Sequence, residues 1–245
     1  MGVTQYLRRT RPASQPSTTT VLTGCWPLFA ISFLLSALSI TNLGLLSSMV
    51  AWLLRQKHNV HTYQVDWPGN ETKLNVEPKN LWVDHGHESN GAAAYGFFVG
   101  LFGMVTAWRM RNAQRRLKSL TALAVLLFLA VLFTLSCFIF AFVVTYQTTG
   151  QRIREPVAVN TVGMNYPEFR WTPETWFKAV RDLPLADRST RSEIEDRIRT
   201  MVAWRWMLLV IFFVDVAAFS ITAMAWLKQR RGVAARPGSR DSTEK

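Results

Sequence analysis

The chain has 245 residues, 49% of them hydrophobic and 18% charged, with a formal net charge of +12. Averages of this kind are compatible with one soluble core, but the apolar residues fall into four blocks, which excludes an evenly patterned globular domain. Cys25 and Cys137 both lie in or beside those blocks, which excludes a disulfide-braced outer domain.

In chain order, an N-terminal segment (1–25) carries Arg8, Arg9 and Arg11 and no acid, and is expected in the cytoplasm. Residues 26–54 form the first apolar block, too long for the core of a cleaved signal peptide and therefore read as a retained anchor. Residues 55–91 form a first polar loop, 92–108 a second apolar block, 109–119 a basic connection and 120–146 a third block. A second polar loop (147–203) leads into the fourth block (204–227), and a basic, Gly- and Ser-containing tail (228–245) reads as disordered. Each block approaches or exceeds the roughly 20 residues a helix needs to cross about 30 Å of hydrocarbon. The predicted fold class is all-α: an integral membrane four-helix bundle with two extracytoplasmic loops, the second partly helical and continuous with the last span. Trp26, Trp52, Trp108, Tyr146, Trp204, Trp206 and Trp226 flank the blocks as headgroup-level anchors would.

Charge sets the orientation. The N-terminal segment, the 109–118 stretch and the tail hold fourteen Lys and Arg against two acids, whereas the two polar loops nearly cancel. Both termini are therefore expected in the cytoplasm, in a plasma membrane or endomembrane. Arg109, Arg111, Arg115, Arg116, Lys118, Lys228, Arg230 and Arg231 sit against span ends, where anionic lipid headgroups attract them, and no nucleic-acid partner is expected. Asn70-Glu71-Thr72 is an acceptor for N-glycosylation in the first polar loop, directly after the turn signal Trp67-Pro68-Gly69.

The first loop alternates over "VHTYQVDW" and "KLNVEPKNLWV", suggesting short strands, and ends in "DHGHE". His58, His61, His85 and His87 are the candidates should a metal bind, but their spacing lacks the Cys/His periodicity of structural sites, so no metal and no cofactor are expected. Catalytic signatures are absent, and the chain is not expected to be an enzyme. In the second loop, Thr172-Pro173 predicts a capped helix with Trp176, Val180 and Leu183 on one face, stopped by Pro184. Ser192-Glu193-Ile194-Glu195 fits a capping box opening the long helix into the fourth span.

Within the spans, Ala92, Gly96, Gly100 and Gly103 form a small-residue strip suited to close helix approach. Asp215 shares a face with Ala218 and Thr222, so its carboxylate should turn toward protein and find a partner such as Asn42, Thr134 or Ser136. Interhelical hydrogen bonding is the favoured role. A proton or ion pathway, as in a small transporter or channel, is the alternative.

At "WTPETWFKAV", "LPLAD", "AWRWMLLVIFF" and "HGHESNG" the chain resembles a group of uncharacterised four-transmembrane proteins of filamentous ascomycete fungi. It shares only its span count with claudin-like and tetraspanin-like proteins. The resemblance implies the architecture and a fungal membrane setting, and carries over no catalytic residue. The functional expectation is a non-enzymatic membrane-organising or accessory protein in a lipid bilayer, with a membrane-protein partner or a second copy of itself.

Overall fold

The computed structural model describes residues 19–112 and 118–234. Of the basic positions above, Arg8, Arg9, Arg11, Arg115, Arg116 and the tail beyond residue 234 lie outside the described residues. Four long helices dominate: α1 (Thr19–Arg55), α2 (Asp84–Asn112), α3 (Lys118–Thr148) and α6 (Arg188–Ala234). All four are long and apolar enough to cross a membrane. Between them lie a hairpin of β1 (Thr62–Trp67) and β2 (Asn70–Asn75), and two short helices, α4 (Glu155–Asn160) and α5 (Pro173–Arg181). The fold is thus mostly helical, but the hairpin corrects a strictly all-α description. Alternating burial of Tyr63, Val65, Thr72 and Leu74 is the reason: one face of the ribbon has a core to cover.

Around the bundle, α1 packs beside α2 and α6, and α3 beside α2 and α6, leaving α1 and α3 on one diagonal. The outward faces are apolar, with Phe33, Phe98, Val125, Phe128, Leu132, Val210 and Phe213 all exposed. A belt of this kind matches a lipid environment, since an aqueous monomer rarely shows so large a contiguous patch.

Two cores fill the interior. One lies at the basic end and joins Leu28, Ala107, Leu120, Leu123 and Ala218. The other, at the hairpin end, joins Met49 and Trp52 of α1 and Met201, Trp204 and Leu208 of α6 to the hairpin and α5. Trp52 and Trp204 are only 2% and 3% exposed, so they are core residues and not headgroup anchors. Trp26, Trp108, Tyr146 and Trp206 remain exposed. The two displaced tryptophans sit beneath the hairpin-end layer, which covers the bundle where the sequence pattern alone suggested a water–lipid boundary.

That layer is laced together from both polar loops. Asp66 N–H donates to Pro184 (2.9 Å), Ala186 N–H to Gln64 (3.1 Å), Trp82 N–H to Trp171 (2.7 Å) and Lys79 N–H to Tyr166 (2.9 Å). Gly69, at φ +89°, makes the tight turn after Pro68 that returns the chain into β2. Helix α5 starts as its sequence indicates: Thr172 and Thr175 form a reciprocal capping box, with Pro173 in the first turn. It ends at Arg181, three residues before Pro184. Its apolar face, with Trp176, Val180 and Leu183 all buried, packs inside the protein, and Trp176 Nε1–H donates to the Val76 carbonyl at 2.8 Å.

The start of α6 differs from expectation. Ser192 and Glu195 lie inside the helix, which begins at Arg188. Asp187 is the cap: its carboxylate accepts from Ser189 N–H (2.9 Å) and Thr190 N–H (3.3 Å), and from both hydroxyls. The carboxylate thereby satisfies two of the free amides at the helix start. Those donors pull the Asp187 carboxyl down to about 2. From there α6 runs 47 residues without a break, roughly 70 Å at 1.5 Å per residue, so it crosses the bundle and supports the outer layer as one rod.

Candidate functional site

Asp215 is 0% exposed, and Thr134 Oγ1 of α3 donates to its Oδ2 at 2.7 Å. Of the three expected neighbours, Thr134 is therefore the partner; Ser136 is exposed, and the Asn42 amide, fully buried, has no hydrogen-bond partner among the described residues. Asp215 Oδ1 and the Ser39 hydroxyl are likewise buried without a partner among the described residues. Ala218 and Thr222 are completely buried on the same face of α6, and the Thr222 hydroxyl bonds back to the Ala218 carbonyl at 2.7 Å.

The small-residue strip of α2 faces α1, not α6. A Cβ on Gly100 would meet the Ser32 carbonyl at 2.7 Å and the Ser36 amide nitrogen at 2.9 Å; on Gly96 or Gly103 it would meet the hydroxyls of Ser39 or Ser32. Ala92 is buried in the same helix. Close approach lets the Ser36 hydroxyl donate to the Phe97 carbonyl at 2.8 Å, a bond between helices. Ser32, Ser36 and Ser39 recur at intervals of four and three, a polar stripe on the first span that the sequence itself carries.

The histidines do not converge. His58 lies exposed within the π-helical turn Gln56–Val60 and His61 exposed just after it, His87 is exposed, and His85 is buried against Trp204 with ring centroids 5.7 Å apart. Among the described residues no three His, Cys, Asp or Glu side chains are grouped as a metal site. Cys25 and Cys137 are both buried.

At the basic end, Arg109, Arg111, Lys118, Lys228, Arg230 and Arg231 are all exposed. Arg111 lies over the Trp108 ring at 5.9 Å and Arg230 over Trp226 at 4.5 Å, while Trp226 Nε1–H donates to Thr121. At the opposite end, Arg55 and Lys57, which go against the general charge bias, are neutralised: Arg55 pairs with Glu193 at 2.5 Å and Lys57 with Glu77 at 2.8 Å. Glu193 also accepts from Trp52 Nε1–H, tying the end of α1 to the start of α6. Burial, with the Glu193 charge beside it, pushes the Tyr63 phenol well above its usual range. Asn70 is exposed at the hairpin turn, where its side-chain amide donates to Glu155 at 3.4 Å.

A second site was not anticipated. Between the upper part of α1 and the start of α2 opens a cleft of about 420 Å³, floored by Met201 and Trp204 of α6 and by Glu174 of α5. Glu174 is 5% exposed and held by Lys178 at 2.6 Å and Arg205 at 3.3 Å. The only sequence trace of the cleft is the "HGHESNG" entrance to α2, whose His85 forms part of its wall. No protein-family model matches this chain, and no curated protein or solved structure matches it either.

Proposed function

We propose that the chain is a non-enzymatic four-span membrane protein that acts as a membrane organiser or accessory subunit, through helix packing and contacts of its outer layer. The observation that carries this reading is the interlocking of both polar loops, backbone to backbone, on a bundle whose buried carboxylate is engaged by Thr134. A rigid, laced surface serves recognition, because little ordering entropy is lost when a partner docks on it. The hairpin end faces away from the cytoplasm and both termini face it, supported by the clustered basic residues at the other end. Exposed Asn70 carries the glycan, and the exposed arginines and lysines of α2, α3 and α6 meet anionic headgroups.

Proximity labelling from a tag between Thr161 and Met164 tests this reading. A reproducible membrane-protein neighbour, or the chain itself, is the expected product; a background-level list overturns it. Asn70→Gln should abolish a glycan-dependent mobility shift.

One observation favours a second reading, a small transporter, channel or proton-coupled component. Asp215 Oδ1, the Asn42 amide and the Ser39 hydroxyl leave buried polar capacity among the described residues that pairwise glue does not use. Asp215→Asn in reconstituted vesicles separates the two: unchanged assembly with no flux to lose supports the organiser, and loss of a measurable proton or ion flux supports transport.

A further inference from the structure

We infer that the cleft between α1 and α2 binds a neutral, hydroxyl-headed lipid taken up sideways from the leaflet at the hairpin end. The inference rests on the chain being membrane-embedded and on nothing else in the functional reading.

The cleft's volume, about 420 Å³, lies within the roughly 300–1,000 Å³ of small-molecule sites, and its lining is mainly hydrocarbon from Leu46, Met49, Leu53 and Met201. Val50, Leu54 and Val83 at its mouth are 51%, 50% and 36% exposed. Val50 and Leu54 stand in the last turns of apolar α1 and Val83 directly precedes α2, so this side of the rim is apolar and is where a lipid enters, while exposed His87 and Asn90 form its polar edge. Along Gly96–Gly103 a Cβ on α2 would collide with Ser32, Ser36 or Ser39 of α1, whereas at Gly86, which lines the cleft, nothing lies within 4 Å of where a Cβ would stand.

The polar chemistry of the wall selects the head. His85 and Trp204 both line the cleft, are 5% and 3% exposed, and lie 5.7 Å apart between centroids with their planes tilted by 52°. His85 Nδ1 and Trp204 Nε1 are buried with no hydrogen-bond partner among the described residues. Such groups are costly to leave unpaired, about 1–3 kcal/mol each. Indole N–H only donates, while Nδ1 accepts or donates according to tautomer; a hydroxyl does both, so one head oxygen placed between the rings can serve the pair. Charge excludes the commoner lipids. Among the described residues lining the cleft there is no lysine or arginine, and the carboxylate present, Glu174, is already compensated by Lys178 and Arg205. A phosphate or fatty-acid carboxylate would therefore find no unengaged lysine or arginine on the wall.

Two lipid classes share this chemistry, sterols and monoacylglycerols, and photolabelling separates them. The full-length protein is reconstituted in phosphatidylcholine nanodiscs with a diazirine-alkyne sterol, monoacylglycerol or fatty acid, and labelled peptides are mapped by mass spectrometry. Expected is labelling of 46–54 and 83–90 by one neutral probe, competed by its unlabelled parent and not by extra phosphatidylcholine. Trp204→Phe keeps the ring and removes the donor, and should weaken competition roughly three- to tenfold. Ala51→Trp, which fills the cleft from an exposed lining position, should abolish labelling while the detergent-solubilised protein stays monodisperse. Labelling that is not saturable, is unchanged in Ala51→Trp, or is strongest with the fatty acid overturns the inference. These outcomes are independent of the partner screen, so this inference and the organiser reading stand or fall separately.

Discussion

Thr134 and Asp215 face each other across α3 and α6 at 2.7 Å, one hydroxyl and one carboxylate, both sealed from solvent. A second side-chain bond between these helices, from Trp226 Nε1–H to Thr121, lies at the basic end, so the Thr134–Asp215 bond is the one at mid-bundle. The two substitutions Thr134→Val and Asp215→Leu, made singly and together, should couple by about 0.5–1.7 kcal/mol, the range found for hydrogen bonds between membrane helices. Steric-trap or thermal unfolding in detergent measures it. Additive effects would remove the bond from the account of how the bundle is held.

The α1–α2 seam predicts a graded response. Gly100→Ala should destabilise by about 1–3 kcal/mol, because its Cβ meets backbone atoms of Ser32 and Ser36 that cannot step aside. Gly96→Ala should cost less, since the obstacle is the Ser39 hydroxyl, which can turn away. Thermal denaturation of the two variants side by side checks the order; equal loss would place the contact elsewhere.

Glu174 and Arg205 form the pair most deeply set in the hairpin-end core, with side chains 5% and 14% exposed. Glu174→Ala strands the Arg205 guanidinium, and the expected loss is about 3–5 kcal/mol. Replacing both, by Gln and Met, should recover much of it. Limited proteolysis of the outer layer reports the difference, with the single variant cut early between 147 and 187.

Acid acts at the start of α6. The Asp187 carboxyl is held at about 2 in the folded protein against an ordinary 3.8, so it favours the fold fully above about 3.8 and loses that contribution as pH falls toward about 2. The protection of the Ser189 and Thr190 amides, taken relative to the unstructured exchange rate at each pH, should therefore fall across that window. Asp187→Asn, which still caps, should keep the protection near neutrality and show no such acid step; Asp187→Ala should lack protection throughout.

Much of the fold was legible in the chain itself. Each span is a continuous apolar run, and in hydrocarbon a helix is the form that satisfies its own backbone, so α1, α2, α3 and α6 followed from local composition. Thr172 and Pro173 marked α5 by the same local logic. Asp187 was harder to read, because Ser192-Glu195 offered a rival cap of equal sequence quality and only the Asp66–Pro184 and Gln64–Ala186 backbone bonds decide where the loop must stop and the rod begin. Helix α4 went unnoticed since six residues carry too little periodicity, Pro156 in its first turn being the one cue.

The sites divide along the same line. That Asp215 turns inward was readable from Ala218 and Thr222 on its face; that Thr134 and not Asn42 meets it depended on the rotation and axial offset of the helices, since α1 and α3 both pack beside α6. Tryptophan placement at span ends suggested anchors, yet Trp52 and Trp204 went into a core built by residues more than a hundred positions away. What the sequence alone determined is partition: which segments leave water, and which end gathers positive charge, because both follow from the free energy of moving side chains one by one. Only the tertiary structure decided which faces meet, which ring nitrogens are left unpaired beside Leu46 and Met201, and where the cleft opens, because those depend on distances between segments that no local free energy specifies.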